Sequence, residues 1–243
     1  MGIESDDIKG KRMESIEYKD YYIAFLDILG FKDLVSKKSC AEILSILEKV
    51  KHGYSVVSSC QNDKWEELPN SRKQYTIHNK IISDSICLYV DAQEPNNIIL
   101  LMFACCLMQY ELLKCTPPIF VRGGITKGCL YSDGNIIFGP GLTQAYLMEE
   151  QNARVPRIIV NQNIISQALD VTPEMQDNVL IFKDYDEFYV VNYFSRLSNC
   201  EKEAGLREHV LKYINNILGS TIDSSLREKY VYVKNNILKY SKQ

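Results

Sequence analysis

The sequence predicts an α+β fold, a ferredoxin-like βαββαβ core with extra hairpins and C-terminal helices. Three observations predict it. Short runs rich in β-branched and aromatic residues alternate with longer segments of helical periodicity, in the order strand, helix, strand, strand, helix, strand. Two of the apolar strand regions are interrupted by an acid, Asp27 and Asp84, and the split βαβ order makes the first and third strands neighbours at the centre of an antiparallel sheet. A chain of 243 residues with 46% apolar and 24% charged residues has enough material to close one such core.

The first strand is Tyr21 to Ile28, a buried run whose single acid, Asp27, needs a partner to be tolerated there. Gly30 punctuates it, and Ile43, Leu44, Ile46, Leu47 and Val50 then recur at helical spacing within Cys40 to Val57. A polar connection from Gln61 to Arg72 leads into two strands, Gln74 to Ile82 and Ile86 to Val90, joined by the turn at Ser83-Asp84. Pro95-Asn96-Asn97 opens the apolar helix Ile98 to Lys114, which Pro117-Pro118 separates from a strand over Ile119 to Thr126. A hairpin from Gly128 to Phe138 turns at Asp133-Gly134, followed by a helix from Leu142 to Gln151 and a strand from Arg157 to Val160. Val179 to Phe182 and Phe188 to Tyr193 read as a late hairpin, and two helices follow Asn199. The first of these carries the stripe Val210, Leu211, Ile214, Ile217 and Leu218, read as packing on its own domain. The core therefore spans about 21–193 within a domain of residues 1–198, with 199–243 as a helical extension packed on it.

Composition narrows the function classes. A net charge of −3, with lysines scattered among acids, offers no basic surface for nucleic acid or an anionic membrane. Eight cysteines without any C-x-x-C pair, two of them adjacent at Cys105 and Cys106, read as buried free thiols of a reducing compartment. The polar N-terminus lacks the apolar segment of a secretory signal, and the longest apolar run, Ile98 to Met108, is too short to span a bilayer. The expected location is the cytoplasm. His52, His78 and His209 lack ligand spacing, and neither a nucleophile elbow nor a P-loop motif occurs.

Chemistry is expected where the two acids meet. Carboxylates on neighbouring strands repel unless a proton or cation sits between them, and Mg²⁺ or Mn²⁺ suits hard oxygen donors while leaving positions open for phosphate. In Asp27-Ile28-Leu29-Gly30-Phe31 the acid ends a strand and Gly30 permits a sharp turn, after which a helix start offers amide donors to phosphate.

These motifs resemble the class III nucleotide cyclases. The resemblance covers roughly residues 21–193 and rests on Asp27-Ile28-x-Gly30-Phe31, on Ser83-Asp84, on Val121-Arg122-Gly123-Gly124-Ile125 and on the glycine-opened helix after Phe138. It implies that Asp27, the Ile28 carbonyl and Asp84 hold two divalent ions, Mn²⁺ or Mg²⁺, per active site. It also implies that Arg122 meets the triphosphate, that Gly30 and Phe31 line its corner, and that Lys80 contacts the base. Departures from the family accompany the matches: Thr143 and Leu147 stand where an asparagine and an arginine are expected, and Ile136 replaces an adenine-reading acid. Within the family, Gly139-Pro140-Gly141-Leu142, Ala145-Tyr146, Glu149 and Pro156-Arg157-Ile158-Ile159-Val160 look like the pyrimidine cyclases of the bacterial Pycsar antiphage system. That likeness implies conversion of UTP (or CTP) to the 3′,5′-cyclic monophosphate and pyrophosphate by a homodimer. The product would be sensed by a separate effector that makes no stable contact with the enzyme. Arg154 and Arg157 are candidates for the cation absent at Leu147, with Lys183 a further triphosphate candidate and Thr143 a ribose or phosphate contact. Each of these also reads as an ordinary surface or helix residue. An adenylate cyclase with unusual base recognition and an inactive cyclase-like nucleotide-binding module remain as alternatives.

Overall fold

The computed structural model describes residues 16–59, 76–171, 180–197, 201–220 and 223–240. The polar connection from Gln61 to Arg72, the first residues of the strand expected from Gln74, and Val179 and Asn199 lie outside them. The elements run β1 (Lys19–Ile28), α1 (Phe31–Lys37), α2 (Cys40–Ser59), β2 (His78–Ile82), β3 (Ser85–Asp91), α3 (Asn97–Leu113), β4 (Val121–Asp133), β5 (Ile136–Phe138), α4 (Pro140–Asn152), β6 (Ile158–Val160), α5 (Gln162–Val171), β7 (Ile181–Lys183) and β8 (Tyr189–Val191). A short 3₁₀ turn (Phe194–Leu197), α6 (Glu201–Leu218) and α7 (Ser224–Tyr240) complete the chain.

One sheet joins the strands in the order β2-β3-β1-β4-β6-β8-β7, with β5 paired to β4. Its first four strands are antiparallel neighbours, as the split βαβ order demands, while β6 adds to β4 in parallel. Two helices were not foreseen. The seven residues of α1 bury only Phe31, too little to produce a periodic pattern. The helix α5 follows directly on β6, where Asn161 Oδ1 accepts the Asn163 N–H at 2.9 Å and Ile164 and Ile165 point inward.

Strand alternation distributes β1 over two unequal layers. Tyr22, Ala24, Leu26 and Ile28 belong to the large core shared with α2, α3, α6 and α7, to which Val210, Ile214, Val233 and Ile237 contribute buried side chains. Tyr21, Ile23 and Phe25 face the other way, into a small cluster with Cys87, Tyr89, Leu130 and Ala145 beneath α4. Asp27 continues that second series. The helix α4 lies so close to β4 that a Cβ on Gly124 would sit 2.6 Å from Met148 Cβ and 2.7 Å from the Ala145 carbonyl oxygen, so only glycine is accommodated there.

All described cysteines are free; Cys87, Cys105, Cys106 and Cys115 are buried as expected. Cys40 and Cys129 are exposed, which corrects the uniform expectation of burial: the first opens α2 and the second lies where β4 runs out toward its hairpin. Among the described residues no helix is long and apolar enough to cross a membrane.

Candidate active site

The site forms where β1, β3 and β4 end together. Register places Asp27 opposite Ser85 on one side and Arg122 on the other, so Asp27 and Arg122 emerge on the α4 face side by side. The β2–β3 turn delivers Asp84 beside them: the Ile28 N–H donates to the Asp84 carbonyl at 3.0 Å, and Ser83 takes up a left-handed φ of 58° to make the reversal. Just beyond the strand, Gly30 is left-handed at φ 73° and caps α1, with nothing within 4 Å of where a Cβ would stand. Another residue there is opposed by backbone conformation rather than by a clash. Phe31 is buried as the first residue of α1, so it anchors the corner and does not project from it.

Arg122 stands between two acids. Its Nε donates to Asp27 Oδ2 at 3.0 Å and lies 2.8 Å from Glu149 Oε1 on α4. A single Nε proton serves one acceptor well; it is directed at Asp27, and Glu149 Oε1 is left buried without a hydrogen bond. Burial therefore dominates at Glu149. It pushes the carboxyl up to about 7 despite the attraction of Arg122, and the charges of Asp27, Glu150 and Asp84 act in the same direction as burial. Burial also raises the Asp27 carboxyl, opposed by the Arg122 hydrogen bond and charge, reinforced by Asp84 and opposed again by Lys229 of α7.

The donors at this corner, two carboxylates and the Ile28 backbone, are hard oxygens on mutually repelling groups, which suits Mg²⁺ or Mn²⁺. Among the described residues no three His, Cys, Asp or Glu side chains converge on one metal position, so phosphate oxygens of a substrate would have to complete the coordination.

No protein-family model matches the chain, and no curated protein matches it in sequence. Solved structures do. The guanylate cyclase domain of RhGC from Catenaria anguillulae, in complex with GTP, is 14% identical, with 72% of this chain and 97% of that one covered at a TM-score of 0.50. The chain has the nucleotide cyclase fold. The dimeric guanylyl cyclase domain of the RhoGC fusion protein from the aquatic fungus Blastocladiella emersonii agrees, at 14% identity, 72% and 94% coverage and a TM-score of 0.50.

Around this cyclase-fold corner the remaining sequence candidates separate. Lys80, on β2, donates through Nζ to the Gly134 carbonyl of the β4–β5 turn and so ties the edge strand to the hairpin. Thr143 is exposed in the first turn of α4, its hydroxyl 3.4 Å from the Gly139 carbonyl. Arg154 is exposed beyond the end of α4. Lys183 pairs with Glu187 across the β7–β8 turn, which raises its pKa.

Arg157 is a correction. It is 3% exposed, and its guanidinium donates to Asp184 and Asp186, each at 2.8 Å, and to the Asn152 carbonyl at 3.0 Å. Burial works against its charge, but the two acids outweigh it and hold the guanidinium firmly protonated. Tyr232 of α7 joins the cluster through a 2.8 Å hydrogen bond to Asp184. The arginine fastens the β7–β8 hairpin and α7 to the end of α4, and its terminal nitrogens have no donor to spare for a triphosphate.

Sequence reasoning passed over Glu149 as a site residue. A signal existed: Gly141, Ala145 and Glu149 are the buried residues of α4, spaced four apart, and an acid on such an inner stripe requires a cationic partner. For the hydrogen bond of Tyr232 to Asp184 no local signal exists, because the two residues are remote in the chain.

Proposed function

We propose that this chain is a metal-dependent nucleotide cyclase that converts a pyrimidine nucleoside triphosphate, UTP or CTP, to its 3′,5′-cyclic monophosphate and pyrophosphate. The observation that carries the reading is the corner where Asp27, Asp84 and Arg122 meet on adjoining strand ends of a cyclase-fold sheet. In the reaction the ribose 3′-hydroxyl loses its proton and attacks the α-phosphorus, and pyrophosphate leaves. Asp27, Asp84 and the Ile28 carbonyl would hold divalent ions, which would lower the pKa of that hydroxyl and neutralise part of the triphosphate charge. Arg122 orients Asp27 through the 3.0 Å hydrogen bond, and Gly30 keeps the adjoining backbone open to phosphate.

The pyrimidine assignment is supported by Ile136, an exposed apolar side chain in place of an adenine-reading acid. A homodimer is supported by exposed apolar residues on adjoining elements: Ile82 on β2, Ile136 and Phe138 on β5, and Tyr146 and Leu147 on α4. A role as second-messenger synthase in bacterial antiphage defence, with a separate effector sensing the product, completes the proposal. One observation favours a second reading. Leu147 presents an exposed aliphatic side chain where a cation is expected, as in a nucleotide-binding module without turnover.

Incubation of the purified protein with Mn²⁺ and each of ATP, GTP, UTP and CTP separately, with products resolved by mass, tests the reading. A cyclic pyrimidine nucleotide is expected. A cyclic product from ATP alone overturns the pyrimidine assignment, and nucleotide binding without any cyclic product establishes the second reading.

A further inference from the structure

Two arginines of this fold spend their donors in opposite ways. An arginine side chain carries one N–H on Nε and four on its terminal nitrogens. Arg157 commits the terminal nitrogens to Asp184, Asp186 and the Asn152 carbonyl, and its Nε is buried without an acceptor. Every donor it uses is closed off by protein. Arg122 reverses the arrangement: its Nε meets Asp27 Oδ2 at 3.0 Å and Glu149 Oε1 at 2.8 Å, while among the described residues its terminal nitrogens donate no hydrogen bond. Its side chain is 28% exposed against 3% for Arg157, which leaves room for a ligand to reach the unused donors.

Glu149 comes to Nε from the covering helix, and close packing sets its place. Gly124 lies two residues from Arg122 on the same face of β4, and a Cβ there would stand 3.2 Å from the Glu149 amide nitrogen. The glycine therefore lets α4 down onto the strand at the residue that carries the carboxylate. The Glu149 side chain is 4% exposed, its Oε1 has no hydrogen bond, and Arg122 is the cation paired with it among the described residues. A carboxylate so placed is tolerated because of that cation. A carboxylate oxygen that Asp27 gives to a metal ion is lost to Arg122, whereas Glu149, buried under α4, keeps its contact.

We propose that Glu149 is the positioning residue of Arg122: it holds the guanidinium by its Nε edge, which directs the terminal N–H groups at phosphate oxygens of the substrate and of the pyrophosphate that leaves. The proposal rests on the cyclase reading for the identity of those phosphates. Held by one edge, a planar fork keeps its other edge in a fixed direction, and bidentate recognition of an oxyanion depends on that direction. The sign of the effect separates this role from plain electrostatics. Removing a negative charge beside a polyphosphate relieves repulsion and tightens binding, whereas removing the residue that aims the arginine weakens it.

The test is binding of inorganic pyrophosphate, in the presence of Mn²⁺, to the full chain by calorimetry. Glu149→Leu, which fills the same space without an oxygen, is expected to weaken it about tenfold, the scale of one charge-assisted contact. Glu149→Gln keeps an oxygen beside Nε and should retain most of the affinity. Glu150→Gln, which removes the same charge from the next residue of α4, should stay within about twofold of wild type. Arg122→Ala should also weaken binding, and adding Glu149→Leu to it should cost nothing more, because Glu149 acts through Arg122. Thermal melting of each variant confirms folding, and Glu149→Met replaces the leucine variant if that one melts early. Affinity unchanged or tightened in Glu149→Leu, a further loss in the double variant, or no pyrophosphate binding by wild type overturns the inference. Because the readout needs no turnover, the same coupling in a protein that forms no cyclic product would sink the cyclase reading alone.

Discussion

The two faces of one strand show how this molecule separates stability from chemistry. On the α2–α3 side of β1, Tyr22, Leu26 and Ile28 are at most 1% exposed and enter a core to which most elements of the fold contribute. On the α4 side the companion cluster has five buried members among the described residues, and the strand ends there in Asp27, whose side chain is 20% exposed. Charge is tolerable on the second face because α4 covers it only partly and brings Glu149 to bracket Arg122. The thick layer resists unfolding. The thin one leaves its strand ends accessible.

The comparison is broken most directly at the strand ends. Asp27→Ala and Asp84→Ala are each expected to reduce product formation by at least about a hundredfold while the melting temperature stays near that of wild type, since a metal ligand is lost and no core is opened. Activity assays with matched melting curves check this. Full turnover in either variant removes the metal corner from the mechanism.

One residue away, on the opposite face, the effect should invert. Leu26→Ala, at 0% exposure, is expected to cost about 2–5 kcal/mol of stability through lost burial and the cavity left behind. Denaturant titration measures the cost. Metal-dependent activity per folded molecule should persist, and selective loss of activity without loss of stability would contradict the division between faces.

The smallest effect sharpens the picture of the thin layer. Glu149 titrates at about 7 in the folded protein against an ordinary 4.5, so the folded state holds its proton more tightly than the unfolded chain. Its contribution to stability is then fully present below the unfolded value and is lost as pH rises through the folded one. Metal-free wild type should lose on the order of 1–3 kcal/mol between about pH 5 and pH 8 from this group, and Glu149→Gln should flatten that part of the profile. Equal slopes in the two proteins, from urea midpoints at both pH values, would show that the carboxyl is not held in this way.

Much of the architecture was legible before any coordinates. The β-branched and aromatic run of Tyr21 to Ile28, the proline-bounded apolar helix around Met108 and the Asp133-Gly134 turn are local patterns, and local patterns set element type and order. The adjacency of Asp27 and Asp84 followed from the βαββαβ order, because that connectivity leaves little choice of strand neighbours. The helices α1 and α5 escaped, since α1 buries a single side chain and α5 follows β6 without a breaker between them.

What the sequence by itself determined was the sheet, the corner where Asp27, Ile28 and Gly30 turn, and the presence of acids that require a counter-charge. What only the tertiary structure decided was which charges answer them. Arg157 was a phosphate candidate until Asp184 and Asp186 closed on its guanidinium, and Glu149 was one residue of a pattern until α4 set it 2.8 Å from Arg122. The helix α7 finds its place because Tyr230 packs on Phe120 and Tyr232 bonds Asp184. Periodicity records which face of an element is buried, whereas the pairing of charges depends on distances across elements remote in the chain, and packing alone sets those distances.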